Sequence, residues 1–185
     1  LTPVNEIKNE KITAFEVGYG LRTSWISLNL GGSYTLWADK SYTDNFRDAD
    51  NNEYTSPVIG LNATHTGVEL DFEIKANEWL GFLGVVSIGD WKWTNDVTSD
   101  VFDDFGNKIE TVNIYAKDVP VGDQPQTQMV AGVKFQIMPN LFANFNYRFN
   151  DRLYKGYDVI ELDEPGYTAE QLPAYGLMDF HAGMD

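Results

Sequence analysis

Residues 66–75 read Thr66-Gly67-Val68-Glu69-Leu70-Asp71-Phe72-Glu73-Ile74-Lys75, an unbroken alternation of apolar and acidic side chains. A period of two puts Val68, Leu70, Phe72 and Ile74 on one face of a strand and Glu69, Asp71 and Glu73 on the other, whereas a helix would mix the two sets. After Ala76-Asn77-Glu78 the chain returns through Trp79, Leu80, Phe82, Val86 and Ile88, with Gly81, Gly84 and Gly89 where they would weaken a helix. The pair therefore reads as a β-hairpin. Three unpaired carboxylates in a dry core would cost on the order of several kcal/mol each, so the acidic face meets water. The opposite face must be covered by a second sheet or by lipid, and periodicity alone leaves both open.

The same design recurs along the chain. Phe15, Val17, Tyr19 and Leu21 oppose Glu16, Gly18 and Gly20, and after the short Arg22-Thr23-Ser24 connection Ile26, Leu28, Leu30, Tyr34 and Leu36 oppose Ser27, Asn29, Gly31, Ser33 and Thr35. Residues 38–62 are polar and show no period, which predicts a long loop. Further on, Met129, Ala131, Val133, Phe135 and Ile137 alternate with polar or small residues up to Met138-Pro139-Asn140. Leu141, Ala143, Phe145, Tyr147 and Phe149 follow on the next strand. Residues 151–173 read as another long polar loop. A seventh strand begins near Tyr175, with Met178, Phe180, Ala182 and Met184 against Asp179, His181 and Gly183. Parity constrains what lies between. One extra crossing strand within residues 91–128 would move the turn at Pro139 to the long-loop end. Residues 94–121 are therefore expected to extend the flanking strands and close at Asp103-Asp104-Phe105-Gly106-Asn107, with Ile109, Thr111 and Val112 on the return limb. The expected fold is all-β, an antiparallel up-and-down meander of about seven strands in one unit spanning residues 1–185.

Composition narrows the function. A formal charge of −15, from 13 basic and 28 acidic residues, argues against nucleic acid as a partner. The absence of Cys removes disulfides, zinc–thiolate sites and a cysteine nucleophile together. No apolar run approaches the ~20 residues of a membrane helix, and no signal peptide is recognisable, so any membrane crossing must use strands. The start at Leu1-Thr2-Pro3 reads as the cut end of a longer chain. Short turns at one end, long loops at the other, and Trp25, Trp37, Trp79, Trp91, Trp93 and Tyr147 near strand ends give the layout of a transmembrane β-barrel of the outer membrane, of which this would be a fragment. The competing reading is a soluble or surface-attached β-domain that binds carbohydrate through Trp91 and Trp93.

Four segments carry a family resemblance. Residues 3–20, containing Lys11-Ile12-Thr13-Ala14-Phe15-Glu16-Val17-Gly18-Tyr19, resemble a strand of TonB-dependent outer-membrane receptors. Residues 117–128, Asp151-Arg152-Leu153-Tyr154, and Leu172-Pro173-Ala174-Tyr175-Gly176-Leu177-Met178-Asp179 resemble later segments in the family's order. The resemblance implies the C-terminal part of a receptor barrel, which in the family has about twenty-two strands around an N-terminal plug. Plug, TonB-contacting segment and terminal strand have no counterpart here. It further implies outer-membrane lipid and TonB as partners, TonB through the missing N-terminal part, and energised uptake of a bulky, scarce ligand held by extracellular loops. A siderophore–metal chelate is the first expectation for that ligand, with cobalamin or a glycan next.

No residue is assigned to catalysis, a cofactor or a metal, none is singled out for ligand binding, and the chain is not expected to be an enzyme. His65, at the start of a strand, and His181, on a polar face, have no second His at ligand spacing. Asp48, Asp50, Asn52 and Glu53 have part of a calcium-loop spacing without its Gly and distal Glu, and read as a solvated loop. Glu69, Asp71 and Glu73 read as a hydrated wall. Gly18-Tyr19-Gly20 opens no helix, so it is not a dinucleotide motif, and Asn62-Ala63-Thr64 is a chance sequon.

Overall fold

The alternation becomes a hydrogen-bonded ladder in the computed structural model, which describes residues 8–184. Its strands are β1 (Lys11–Arg22), β2 (Ile26–Arg47), β3 (Glu53–Lys75), β4 (Leu80–Trp93), β5 (Val97–Asp103), β6 (Lys108–Ile114), β7 (Thr127–Met138), β8 (Leu141–Asp151), β9 (Leu153–Tyr154), β10 (Gln171–Leu172) and β11 (Tyr175–Met184), with one 3₁₀ turn at Val159–Glu161. Seven of them form one antiparallel meander in the order β1-β2-β3-β4-β7-β8-β11. No barrel closes among the described residues. Residues 3–7 of the first family-like segment, and Asp185, lie outside the described residues.

Cross-strand pairing aligns the apolar residues into rows. Tyr19, Leu30, Leu70, Val86, Met129 and Phe149 are successive partners across six strands, and Ile74, Phe82, Val133, Phe145 and Phe180 form another row. Almost nothing covers this face: Phe15 is 70% exposed, Val68 54% and Phe180 73%. The other face carries Asn29 bonded to Asp71 at 2.9 Å and Lys134 paired with Glu73 at 3.0 Å. The turns at residues 23–25, 76–79 and 139–140 share one end of the sheet, as parity requires.

The long-loop end is built differently. Residues 38–62 are not a loop: β2 and β3 run on through them and close only at residues 48–52. Two register shifts explain why the pattern was hidden. Trp37 pairs with Ala63, Lys40 with Leu61 and Ser41 with Ile59, so each strand carries one extra residue and the register is the same above the pair as below it. The extra residues sit near Asp39 and Gly60, whose φ angles are 57° and 84°. Each bulge reverses which face the following residues occupy. Along β3 the buried positions are Ser56 and Val58, then Leu61 and Ala63, a change from even to odd numbers across Gly60. A period-two search reads that change as noise. His65, expected at the start of a strand, lies well inside β3.

Residues 94–121 extend β4 as expected, since β5 runs beside the upper part of β3 through Tyr54–Asp103 and Thr55–Phe102 and folds back as β6. The two hairpin tips share one chemistry. Asp48 accepts from the Asp50 and Asn52 amides and the Asn52 side chain, and Asp103 accepts from the Phe105 and Asn107 amides and the Asn107 side chain. A left-handed residue, Asn51 or Gly106, completes each turn.

Among the described residues the core lies at this end alone. Val58, Leu61, Ala63, Trp93, Ile114, Ala116, Val119, Leu162 and Ala169 pack together, and Leu162 and Ala169 come from the segment expected to be an open polar loop. That segment folds down because Tyr115 N–H donates to the Leu162 carbonyl at 2.7 Å and Lys155 N–H to the Glu170 carbonyl at 2.9 Å.

Side-chain amides satisfy the bulges. Asn62 Oδ1 accepts from the Asp39 amide at 3.0 Å, Asn95 Oδ1 accepts from the Asn62 amide at 2.8 Å, and Asn95 Nδ2 donates to the Gly60 carbonyl at 3.0 Å. Asn95→Ala therefore strands two half-buried backbone groups, at a cost of about 1–3 kcal/mol. Hydrogen exchange should show Asn62 opening faster while amides in β8 keep their rates; an unchanged rate at Asn62 would contradict the assignment.

Candidate functional site

Above the polar face of the lower sheet the chemistry turns aromatic. Trp37 and Trp93 both pair with Ala63, whose small methyl group leaves room between the two indoles for Lys40 and Tyr42. One row below, His65 pairs with Trp91, and the rings stand 6.5 Å (Trp37–His65) and 5.8 Å (His65–Trp91) apart. Lys40, at the bulge, reaches over this wall: its ammonium is 3.5 Å from the centre of the Trp37 ring, 4.9 Å from Tyr42 and 6.0 Å from Trp93. Burial lowers the Lys40 pKa, and the Glu10 carboxylate pulls it the other way. Glu10 also accepts from Trp37 Nε1 at 3.1 Å and from the Ser41 amide at 3.2 Å, fastening β1 to the bulge.

The wall is closed from above by residues 152–173. Trp93 Nε1 donates to the Tyr157 hydroxyl at 2.9 Å, which in turn donates to the Pro120 carbonyl at 2.7 Å. Arg152 clamps the base of the segment, with Nε on Thr127 Oγ1 at 2.8 Å and Nη2 on the Gly89 and Gln126 carbonyls at 2.8 and 3.1 Å. Beside it the buried Gln126 side chain imitates a peptide group, accepting from the Trp91 amide at 3.2 Å and donating to its carbonyl at 2.9 Å. Between the β2–β3 hairpin and this segment lies a cleft of about 270 Å³ walled by Tyr42, Val58, Trp93, Val121, Tyr157 and Val159, with Asp44, Asp123 and Asp158 at its edges.

Of the residues weighed from sequence, Trp93 alone lines this cleft. His65 is a member of the aromatic wall, and His181 faces Asn144 and the Phe142 ring across β8 and β11. Asp48 spends both oxygens on its own turn and on the Tyr54 hydroxyl, which holds its carboxyl below the usual range, its bonds to Asn52 being the main cause. No group of three or more His, Cys, Asp or Glu suited to a metal ion occurs among the described residues. Trp25 and Trp79 sit exposed at the short turns, whereas Trp37, Trp91 and Trp93 lie on the polar side and Tyr147 lies mid-strand. Trp93 is 4% exposed and is a core residue, which corrects its reading as a sugar-stacking surface. Lys40, Asn95, Gln126 and Tyr157 carried no recognisable motif. Their roles come from bulges and strand ends that alternation does not mark.

No family model, curated protein or solved structure matches the chain.

Burial pushes the phenols of Tyr42 and Tyr157 up to about 12, with Glu10 adding to the effect at Tyr42 and the Trp93 bond opposing it at Tyr157. An unfolded chain ionises tyrosine near pH ~10. Both groups therefore contribute stability that is complete below that pH and is lost as pH rises toward about 12. Tyrosinate absorbance should show a late step that shrinks in Tyr157→Phe; a titration with all tyrosines ionising together would refute the packing described.

Proposed function

We propose that this chain forms part of the wall and outer mouth of an outer-membrane β-barrel receptor that takes up a bulky, scarce small ligand. The observation that carries the reading is the reversal of the sheet's dry side. Below the bulges apolar side chains line one exposed face and carboxylates and amides the other, while above them the buried side chains gather on the carboxylate side. A sheet in one solvent has no reason to change sides. A sheet whose lower part borders hydrocarbon and whose upper part borders water has one.

The dimensions fit. On β2 the apolar positions run from Ile26 to Leu36, which at ~3.3 Å per residue is roughly 33 Å along the strand, and a strand tilt of ~40° brings that to the ~25 Å apolar band of such barrels. The edges of β1 and β11 have no strand partner on one side among the described residues, and continuation of the wall would cover them. In this reading lipid covers the apolar face, the hydrated face lines the lumen, TonB acts through an N-terminal part of the parent protein, and the ligand is met by the assembly above β2, β3 and β4. The chemistry is transport rather than catalysis. A siderophore–metal chelate is the first ligand to test, followed by cobalamin or a glycan. The soluble carbohydrate-binding alternative loses its best support, because Trp93 has neither an open face nor a free N–H.

Expressed from its native reading frame, the protein should fractionate with outer membranes and require detergent for release. Val68→Arg puts a charge in the lipid-facing row and should cost about 2–4 kcal/mol near mid-membrane, whereas Ser33→Arg on the hydrated face should be tolerated. Recovery in the soluble fraction without detergent, or equal tolerance of both substitutions in an assembly assay, would end the reading.

A further inference from the structure

The cleft beneath the β2–β3 hairpin combines two properties that select one kind of guest. Its aromatic lining is Tyr42 and Tyr157, with Trp93 only 4% exposed, and its charged lining residues are Asp44, Asp123 and Asp158, with no Lys, Arg or His. None of the three carboxylates enters an ion pair among the described residues, and Asp158 makes no capping bond to the 3₁₀ turn it precedes. An aromatic face attracts a cation through its quadrupole, and unpaired carboxylates at the rim raise the local concentration of cations. The chain itself supplies a second observation. Lys40 stations its ammonium on this same surface, within cation–π range of Trp37, Tyr42 and Trp93. Two of those rings, Tyr42 and Trp93, are shared with the cleft.

From this we propose that the cleft is a binding site for a small organic cation, of the size and type of a quaternary ammonium. The volume of about 270 Å³ suits a compact head group and excludes a bulky chelate. The site is thus separate from whatever surface meets a large cargo. Both phenols are neutral at neutral pH, so neither brings a charge of its own to the cleft. Lys40, which lies over Trp37, and Lys155, which is paired with Glu170, do not line the cleft. The inference stands on the cleft and does not draw on the membrane reading, so its failure and the failure of that reading are distinguishable.

The test is titration of the full chain with choline chloride, followed by tryptophan fluorescence, beside the neutral alcohol in which carbon replaces the nitrogen. Saturable quenching by choline is expected, with the neutral isostere weaker by roughly tenfold or more. Asp44→Asn and Asp158→Asn should each weaken choline severalfold, Tyr42→Phe should keep binding because the ring face remains, and Tyr42→Leu should abolish it. If Tyr42→Leu does not fold, the other three variants and the isostere still decide. Absence of saturable binding, equal affinity for the isostere, or loss of binding in Tyr42→Phe would each overturn the proposal.

Discussion

The structure depends on a compensated pair of bulges in the longest hairpin. One extra residue in β2 near Asp39 and one in β3 near Gly60 interrupt the ladder only locally, so the pairing from Ser41–Ile59 to Arg47–Glu53 keeps the register it has from Ile26–Ile74 to Trp37–Ala63. What changes is the side on which every later residue falls. A single uncompensated bulge would have shifted every upper pair by one residue. The left-handed backbone this requires at Asp39 and Gly60 is stabilised by the amides of Asn62 and Asn95 rather than by further strand. Gly60 is well suited to its place, since a φ of 84° costs glycine little and any other residue more.

Everything above the bulges follows from that reversal. With Val58, Leu61 and Ala63 brought to one side, the upper hairpins have an apolar surface that water would otherwise cover, and residues 152–173 fold down to bury it with Leu162 and Ala169. The segment is held by specific bonds as well as by area. Arg152, Gln126 and Tyr157 replace the missing ladder partners where β4 and β7 diverge. It is therefore a structural lid as well as a connection, and shortening it would expose the core beneath it.

The lower sheet was readable from sequence because each of its strands keeps one phase throughout, so that Val68-Glu69-Leu70-Asp71 states both the strand and its sidedness. Turn parity then placed residues 94–121 correctly as an extension, even though the local pattern there is weak. The upper part was not readable by the same means. Alternation that changes phase at Asp39 and Gly60 averages to nothing over residues 38–62, and the core positions in residues 152–173 are single apolar residues set in polar sequence, with no period to betray them. Trp91 and Trp93 illustrate the limit at the level of a site. Both stood out by type, but only the fold shows that Trp93 closes the core through Tyr157 and that Trp91 stands in a wall with His65 and Trp37.

The charge of the chain has a spatial logic that the total of −15 conceals. Lys134–Glu73, Lys11–Asp39, Arg47–Glu53, Lys92–Asp90, Lys108–Asp100 and Lys155–Glu170 neutralise carboxylates locally. Exposed pairs of this kind add little to stability, about 0–1 kcal/mol each, so their effect is on the field rather than on the fold. Among the described residues, those left without an ion pair include Asp44, Asp123 and Asp158, gathered where Tyr42 and Tyr157 line the cleft. A carboxylate far from any pocket is screened by salt within about 8–10 Å, but one at the rim of a low-dielectric cleft acts over the whole of it. The distribution of paired and unpaired acids, more than their number, sets what the upper end of this sheet attracts.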